Sequence, residues 1–327
     1  MIRRSVLALV ADPGDPSARY RIVQFVAALG ERARDVTVRA IPGGGRERRR
    51  LFLSAREFDT VFWQRRLLPP WHAAALRAAA RRLVFDFDDA LPYRDSFRGA
   101  TLSLSRRTKF RAAVRRADAV VAANAELARL AGSFARRVEI VPTVVDPARA
   151  VVASHGEADE PVAGWIGSAS TRGYLRSIGG PLREVARTIG PRFRFVVVAD
   201  ALPAPCDPFF ELRPWTESSE AADVARLGVG VAPLTDDAWA RGKSGLKLLQ
   251  YAVAGLPAVA SDVGVQCEIV RDGVSGFLAR TSEEWVDRLV RLIRSPALRA
   301  EMGRAARSAA IERYSIGMAA DRLAAIL

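Results

Sequence analysis

Short apolar runs alternate with amphipathic stretches along most of the 327-residue chain. In the first half, the apolar runs predict strands, and the stretches between them, such as 18–34 and 125–135, have helical periodicity. Continuous apolar strands separated by helices are typical of a parallel sheet that is covered on both faces. The strands predicted for this half are residues 6–10, 36–41, 60–63, 83–87, 119–122 and 138–141.

From residue 146 to 161 the pattern lapses into polar and small residues, which predicts a linker. The alternation then restarts. It predicts strands at 162–166, 193–199, 228–233 and 258–261, and helices at 175–189, 220–227, 244–254, 283–295, 297–313 and 316–327.

The simplest architecture for this pattern is an α/β protein with two doubly wound, Rossmann-like domains facing a cleft. We expect an N-terminal domain at 1–155, a C-terminal domain at 156–313, and a terminal helix at 314–327 that packs back toward the N-terminal domain. In such sheets ligands bind beyond the carboxyl ends of the strands.

Two simple features bound the class of protein. No apolar run approaches the roughly 18 residues of a membrane span, and Asp12 interrupts the apolar start, so residues 6–10 are expected to form a strand and not a signal peptide. Cys206 and Cys267 have no neighbours at metal-ligand spacing and form no disulfide framework. A cytoplasmic protein is therefore predicted.

The net charge of +14 lies entirely in the first half of the chain. Residues 1–155 contain 29 Lys or Arg and 15 Asp or Glu, whereas residues 156–327 contain 21 of each. This asymmetry indicates an anionic partner for the first half: nucleic acid, a membrane surface or an acidic substrate.

The densest basic segment is 103–121, whose cations crowd around Phe110. We expect this segment to dock on an anionic membrane. Its cations are Arg106, Arg107, Lys109, Arg111, Arg115 and Arg116. The alternative is that these arginines only decorate solvated helix faces.

The sharpest chemical signal is the segment GKSGLKLLQY at 242–251, which follows a predicted strand and opens a helix. Glycine lets a backbone approach a ligand closely, and the free N–H groups of a helix N-terminus bind phosphate. The chain has only three lysines, and two of them, Lys243 and Lys247, lie here. The segment is therefore a candidate diphosphate site, although an ordinary surface loop with solvated lysines fits the spacing as well.

The segment is not a Walker A loop, because that pattern requires Gly at position 237, which is Asp.

Several segments together resemble the large, retaining, bacterial family of GT-B glycosyltransferases labelled glycosyltransferase family 4 or glycosyl transferases group 1. The 242–251 segment, followed by GLPAVAS, is similar to the family's donor-site region. The other segments that carry the resemblance are GDPSARYRIV (14–23), VFDFDDALP (84–92), ADAVVAANAELA (117–128), VEIVPTVVD (138–146), GWIGSAST (164–171) and EIVRDGVSGFLARTSEEW (268–285).

The resemblance implies a nucleotide-diphosphate sugar donor bound by the second domain. The backbone N–H groups of Ser244, Gly245 and Leu246 would hold the distal phosphate, and Lys243 and Lys247 would offset the diphosphate charge. The departing phosphate would help to deprotonate the acceptor, so a protein base is not needed. No cofactor and no metal are expected, because lysines and a helix N-terminus are available for the phosphates.

Other donor contacts follow from the same resemblance. Gly167 and Ser168 would face the diphosphate, and Gln250 would bind the ribose in place of the usual second Glu. The first Glu of that pair would fall at Gly242 and is missing, so Asp236 or Asp237 is a candidate replacement. Trp215 matches the loop near the base, but a core-edge aromatic is an equal interpretation.

The acidic strand end at Asp86, Asp88 and Asp89 has three interpretations. Asp-x-Asp after a strand is the metal–nucleotide motif of the other main glycosyltransferase fold. In the favoured fold, the cluster instead contacts acceptor or sugar hydroxyls without a metal, and Asp86 and Asp88 join the lysines as catalytic candidates. The third interpretation is helix capping and salt bridges with nearby arginines.

Arg19, Tyr20 and Arg21 lie at the first strand–helix junction and are candidates, with Asp89, for binding the acceptor. The acceptor is expected to be a saccharide or a lipid-linked molecule, in bacterial glycan biosynthesis. His72 and His155 are expected to be satisfied or solvated. Two other functions stay open: a sugar-nucleotide epimerase on the same fold, and a basic nucleic-acid-binding protein, although no signature of specific nucleic-acid binding appears.

Overall fold

The computed structural model describes residues 3–156 and 162–327. The chain forms two compact units, and both are discontinuous in sequence. The first unit comprises Met1–Val144, Asp237–Ser244 and Ile316–Leu327, and the second comprises Val145–Asp236 and Gly245–Ser315. The α/β class with two Rossmann-like sheets of GT-B type, expected from the sequence, is confirmed.

The first unit contains a six-stranded parallel sheet in the order β2-β1-β3-β4-β5-β6. Its strands are β1 (Arg4–Val10), β2 (Arg34–Ala40), β3 (Thr60–Gln64), β4 (Arg82–Phe87), β5 (Ala119–Ala122) and β6 (Val138–Ile140). The central strands are buried along their whole length because helices cover both faces of the sheet. One core cluster includes Leu7, Trp63, Phe85 and Phe87.

The helices of the first unit, numbered along the whole chain, are α1 (Pro16–Arg21), α2 (Val26–Glu31), α3 (Gly45–Ser54), α4 (Pro70–Ala79), α5 (Leu104–Arg116), α6 (Ala125–Gly132) and α14 (Ile316–Ile326). The prediction of one helical stretch at 18–34 is wrong, because a 3₁₀ turn at Val23–Phe25 separates α1 from α2. The connections through α3, α4 and α5 all run toward β6, so right-handed crossovers put these three helices on one face of the sheet.

The second unit contains another six-stranded parallel sheet, in the order β12-β11-β10-β7-β8-β9. Its strands are β7 (Ala163–Ile166), β8 (Phe195–Ala199), β9 (Phe210–Pro214), β10 (Val229–Ala232), β11 (Ala258–Ser261) and β12 (Gly276–Ala279). Two of them, β9 and β12, were not expected from the sequence. They form the two edges of the sheet, and β9 (FELRP) is too polar to stand out as an apolar run.

The helices of the second unit are α7 (Ala169–Arg172), α8 (Gly179–Ile189), α9 (Glu220–Ala225), α10 (Leu246–Val253), α11 (Gln266–Ile269), α12 (Ser282–Arg294) and α13 (Pro296–Arg313). A reciprocal cap between Thr281 and Glu284 begins α12, and Ser295 with Pro296 begins α13. These caps satisfy backbone N–H groups that would otherwise lack partners at the start of each helix.

The described part of the expected linker at 146–161 belongs to the second unit and packs against its helix α10 end. Ala153 N donates to Ala254 O at 2.8 Å, and His155 Nε2 lies 2.8 Å from Gly255 O. The rest of that segment, 157–161, falls outside the described residues. Among the helices of the described residues, none is long and apolar enough to cross a membrane.

Candidate functional site: two strand-end clusters

The acidic cluster of the first unit begins with a buried ion pair at the end of β4. Asp86 is fully buried and Arg21, from α1, is 3 % exposed. The guanidinium contacts the carboxylate through both Nη2 and Nε, and its Nη1 donates to Val141 O at 2.7 Å. Burial raises the pKa of Asp86 to about 6, and the adjacent Arg21 charge opposes this rise. The two side chains are buried against each other, so each offsets the desolvation of the other.

Asp88 is part of a buried chain of polar contacts across three elements. Gln64 Nε2 donates to Ser17 Oγ at 2.7 Å, and Ser17 Oγ donates to Asp88 Oδ2 at 2.5 Å. The second carboxylate oxygen, Asp88 Oδ1, is buried and makes no hydrogen bond to the described residues; Arg65 Nε lies 3.8 Å from it. A buried carboxylate oxygen without a hydrogen-bond donor is unfavourable, so this oxygen is the least satisfied atom of the cluster.

Asp89 binds two cations from distant parts of the sequence. Arg65 Nη2 lies 2.6 Å from Asp89 Oδ2, and Lys243 Nζ lies 2.8 Å from Asp89 Oδ1. Arg65 follows β3 and has a left-handed backbone conformation, with φ of 58°. This conformation is unfavourable for a residue with a Cβ atom, so the surrounding contacts hold it in place. Sequence reasoning missed Arg65, and its position directly after a buried strand was the available signal.

The segment 237–244 lies between β10 and α10 in the sequence but packs within the first unit. Trp239 joins the core of that unit, and Asp237 Oδ1 accepts hydrogen bonds from the backbone N–H groups of Trp239 and Ala240. Asn124 Nδ2 donates to Lys243 O at 3.1 Å. The Lys243 ammonium lies 4.6 Å from the centroid of the Trp239 ring. These contacts fix the backbone on both sides of Lys243.

Gly242 occupies the position where similar enzymes have the first Glu of their acidic pair. A Cβ atom at Gly242 would lie 2.7 Å from Ala90 Cβ and 3.0 Å from Ala90 N. No side chain fits there without moving the backbone, since real Cβ atoms do not approach so closely. The absence of a Glu at this position is therefore a packing requirement of this chain.

In the second unit, Lys247 lies across the turn that follows β7. Its Nζ donates to Thr171 Oγ1 at 3.3 Å and lies 5.2 Å from the centroid of the buried Trp165 ring. A Cβ atom at Gly167 would lie 2.5 Å from Trp165 Cζ2 and 2.8 Å from Lys247 Cε. Glycine at position 167 thus allows the stem of Lys247 to pass against the backbone.

Helix α10 begins at a second glycine that is conformationally required. Gly245 has φ of 72°, and a Cβ atom there would lie 2.3 Å from Ile269 Cδ1. No side chain caps the start of α10, so its first N–H groups lack a side-chain acceptor. An anion is well suited to such a helix end, because the N–H groups and the helix dipole both favour negative charge.

Tyr251 links the strands on either side of this cluster. Its hydroxyl accepts from Ile166 N at 3.1 Å and donates to Val231 O at 3.2 Å. Burial raises the pKa of Tyr251 far above its ordinary value, so the hydroxyl stays protonated. Gly230 packs directly against this ring. Tyr251 therefore positions the ends of β7 and β10, and the preceding Gln250 remains partly exposed on α10.

The structure gives positions for the other predicted residues without testing their roles. Trp215 is 38 % exposed, and its Nε1 donates to Glu220 Oε2 at 2.8 Å. The hydroxyls of Ser168 and Ser170 are 2.9 Å apart on the exposed turn after β7. Arg19 lies over the Tyr20 ring, at 4.7 Å from its centroid, and both are partly exposed on α1. Ser244 belongs to the first unit, whereas Gly245 and Leu246 belong to the second.

Neither histidine lies in these clusters. His72 Nδ1 is 3.4 Å from Arg48 Nη1, and both burial and the Arg48 charge lower the pKa of His72. Both cysteines are exposed, and burial, together with the Asp262 carboxylate, raises the pKa of the Cys267 thiol to about 12. Within the described residues, no group of three or more His, Cys, Asp or Glu side chains is arranged to hold a metal ion.

Solved structures of other proteins share this fold over nearly the whole chain. Sucrose-phosphate synthase from Thermosynechococcus elongatus is similar with a TM-score of 0.76 and 14% identity, over 99% of this chain and 98% of that one. HepE from Anabaena, solved in complex with UDP-glucose, is similar with a TM-score of 0.74 and 16% identity, over 99% of both chains. A glycosyltransferase from Rickettsia africae has a TM-score of 0.70 and 12% identity, over 99% of this chain and 97% of that one. The class is therefore the GT-B fold.

A family model matches part of the second unit. Residues 183–295 match the family model described as "Glycosyl transferases group 1". The comparison with curated proteins finds no match. The resemblance to group 1 glycosyltransferases is confirmed, on the match to residues 183–295 and on the GT-B fold.

Proposed function

We propose that this protein transfers a sugar from a nucleotide-diphosphate sugar to a saccharide or lipid-linked acceptor, with retention of anomeric configuration. The observation that carries the proposal is the cluster of Lys247, Thr171, Gly167 and the uncapped start of α10. A cation, a hydroxyl and the backbone N–H groups of an uncapped helix start are the groups that bind a diphosphate. The family match supports this assignment, since it spans α10.

We propose UDP as the nucleotide of the donor. HepE has been solved with UDP and with UDP-glucose, and the pneumococcal O-GlcNAc transferase GtfA has been solved with UDP and GlcNAc. Those proteins share less than a fifth of their residues with this chain, so they suggest the nucleotide but do not identify the sugar. Trp215, partly exposed in the loop after β9, is the candidate for contact with the base.

In the proposed reaction, the bond between the anomeric carbon and the diphosphate oxygen breaks while an acceptor hydroxyl oxygen bonds to the same carbon. The acceptor proton passes to the departing phosphate. Lys247 and the N–H groups of Gly245 and Leu246 stabilise the charge that develops on the diphosphate. No protein base is required at the acceptor hydroxyl, and we propose that no metal or other cofactor takes part.

The two lysines have different roles in this proposal. Lys247 contacts the diphosphate. Lys243 is held by Asp89 and Trp239, so its main role is to position the backbone that leads into α10. The sequence predicted that both lysines offset the diphosphate charge, with solvated lysines as the alternative, whereas Lys243 is 20 % exposed and ion-paired.

The three carboxylates after β4 also differ. Asp86 and Arg21 are buried against each other, which favours a structural role over contact with an anionic acceptor. Asp88 has an oxygen, Oδ1, that makes no hydrogen bond to the described residues, and an acceptor hydroxyl could donate one to it. We therefore propose Asp88, together with Arg19 and Tyr20, as the acceptor-side candidates, in a cytoplasmic enzyme of bacterial glycan biosynthesis.

A thermal-unfolding panel with UDP, GDP, ADP and dTDP tests the donor assignment. A ligand at 100 times its Kd stabilises a protein by roughly 2.7 kcal/mol, so UDP should raise the midpoint clearly above the other three. If none of the four shifts the midpoint, the nucleotide proposal is wrong.

Slow hydrolysis of the donor then separates transfer from epimerisation. With water as acceptor, we expect UDP and a free sugar that carries the donor's anomeric configuration, detected by NMR before mutarotation. Appearance of the epimeric sugar, or of the inverted anomer, would contradict the proposed reaction.

A further inference from the structure

The first turns of α3, α4 and α5 form an exposed surface that combines cations with large apolar side chains. Helix α4 packs between α3 and α5. Because each helix returns antiparallel to the strands, all three begin at the carboxyl edge of the sheet. We name this the basic–apolar surface and define it by six exposed residues: Arg46, Arg49, Arg50, Trp71, Leu104 and Arg107.

The apolar part of the surface centres on α4. Trp71 is 69 % exposed and Leu104 is 75 % exposed. Behind Trp71, the helix turns Ala74, Ala75 and Ala78 to solvent. Large exposed apolar side chains within a polar rim are typical of a surface that docks on a partner or a membrane.

The helices on either side supply the charge. Helix α3 has four arginines and one glutamate, and α5 has six cations and no carboxylate. Contacts between the helices bring the two parts together: Arg48 Nη1 lies 3.4 Å from His72 Nδ1, and His72 is adjacent to Trp71. Such a combination of indole, leucine and arginine matches an interface of anionic headgroups over acyl chains.

The residues available for membrane docking differ from those that the sequence predicted in segment 103–121. Phe110, expected from the sequence to lie beside the docking cations, is fully buried in the core of the first unit. Arg111 and Arg115 lie over the Phe134 ring, and Arg116 donates to Ala112 O. The three arginines at the far end of α5 thus make contacts within the first unit, although Arg115 stays exposed, and Leu104 and Arg107 near the start of the helix are exposed as well.

We propose that the basic–apolar surface docks the protein on an anionic lipid bilayer, with Trp71 and Leu104 inserted at the headgroup level. The aromatic ring and the short apolar stretch permit shallow insertion only, since no long apolar face is present on these helices in the described residues. This proposal stands independently of the sugar donor and of the transfer reaction.

Flotation of the full-length protein with vesicles tests the charge component. Vesicles of phosphatidylcholine and phosphatidylglycerol in equal parts should carry the parent protein at low salt, and pure phosphatidylcholine should not. Replacing Arg46, Arg49 and Arg107 with Ser should lower the partition coefficient by about a hundredfold, because each cation near a charged bilayer contributes about fivefold.

The matched control removes the same charge from exposed positions of the second unit, as Arg192→Ser, Arg226→Ser and Arg304→Ser. It should bind vesicles within a few-fold of the parent. Equal losses in the two triple variants would show that only net charge matters and would overturn the proposal.

Experiments on Trp71 distinguish docking on a bilayer from binding to any other polyanion. In vesicles with brominated acyl chains, the fluorescence of the parent should be quenched, and Trp71→Phe should abolish most of that quenching while retaining binding. Trp71→Ser with Leu104→Ser should weaken vesicle binding but leave adhesion to random duplex DNA unchanged. If this double variant binds vesicles as well as the parent, or if the parent ignores anionic vesicles, the surface does not dock on membranes.

Discussion

The acidic cluster that follows β4 and the Lys247 cluster that follows β7 both lie after the carboxyl ends of buried parallel strands, yet they are built differently. In the first, Asp86 pairs with Arg21, and Asp89 pairs with Arg65 and Lys243, in a network that is largely buried. In the second, a side chain at Gly167 or Gly245 would clash with its neighbours, Lys247 donates to Thr171, and no side chain caps the start of α10. The comparison teaches that charged residues at a strand end do not by themselves mark a binding site, because those of the first cluster are largely paired with one another.

The largest expected difference between the clusters is in stability. Replacing either member of the buried pair, as Asp86→Asn or Arg21→Met, leaves the other polar or charged group buried without its partner. Each single change should lower the free energy of unfolding by about 3–5 kcal/mol, measured by urea denaturation. The double variant Arg21→Met with Asp86→Leu should recover most of the loss, since an apolar pair needs no compensation.

An exposed pair in the second unit provides the control. Arg187→Met breaks the contact with Glu184 on the surface of α8 and should leave the urea midpoint unchanged. If Asp86→Asn were equally silent, the first cluster would not be a structural network, and direct catalysis by Asp86 would regain support.

The next effect concerns the glycine under Lys247. Gly167→Ala forces a Cβ atom against Trp165 and Lys247, so we expect a loss of about 1–3 kcal/mol in stability from overpacking and weaker binding of UDP. Gly180→Ala is the matched change, because a Cβ atom there meets no atom within 4 Å. As a residue of helix α8, it should instead stabilise the protein by about 0.5–1 kcal/mol. UDP affinity that is unaffected by Gly167→Ala would place the diphosphate away from this turn.

The smallest expected effect is that of metal removal. If protein cations and N–H groups stabilise the leaving diphosphate, donor hydrolysis in excess EDTA should proceed at the rate measured without it. If EDTA abolished activity and Mn²⁺ or Mg²⁺ restored it, the acidic cluster would be the site of catalysis, with Asp86 and Asp88 as metal ligands.

Sequence patterns predicted all six strands of the first sheet and the four inner strands of the second, but missed both edge strands of the second sheet. Strand β5 was predicted with its observed bounds because AVVA is apolar throughout, whereas the edge strand β9 carries polar residues on its exposed side. The break between α1 and α2 was missed because both pieces continue the same helical periodicity. The domain boundaries and the roles of the site residues stay predictions.

For the site, the sequence indicated the residue types but not their partners. GKSGLKLLQY drew attention to Lys243 and Lys247 as equivalent cations, and only the three-dimensional structure shows Lys243 paired with Asp89, 154 residues away. Likewise, Arg65 has no local motif, and Gly242 is explained only by its contact with Ala90. Long-range pairing of this kind leaves no periodic signal along a single sequence.

Calorimetric titration of UDP into the parent, Lys247→Ala and Lys243→Ala proteins tests the central claim most directly. We expect Lys247→Ala to weaken UDP binding by about 1–3 kcal/mol, the range for loss of a hydrogen bond to a charged group, while the thermal midpoint stays near that of the parent. Lys243→Ala should weaken binding less and lower the midpoint more, because it leaves Asp89 with Arg65 as its remaining ion-pair partner among the contacts described. Parent-like UDP binding by Lys247→Ala would contradict the account and move the donor site elsewhere.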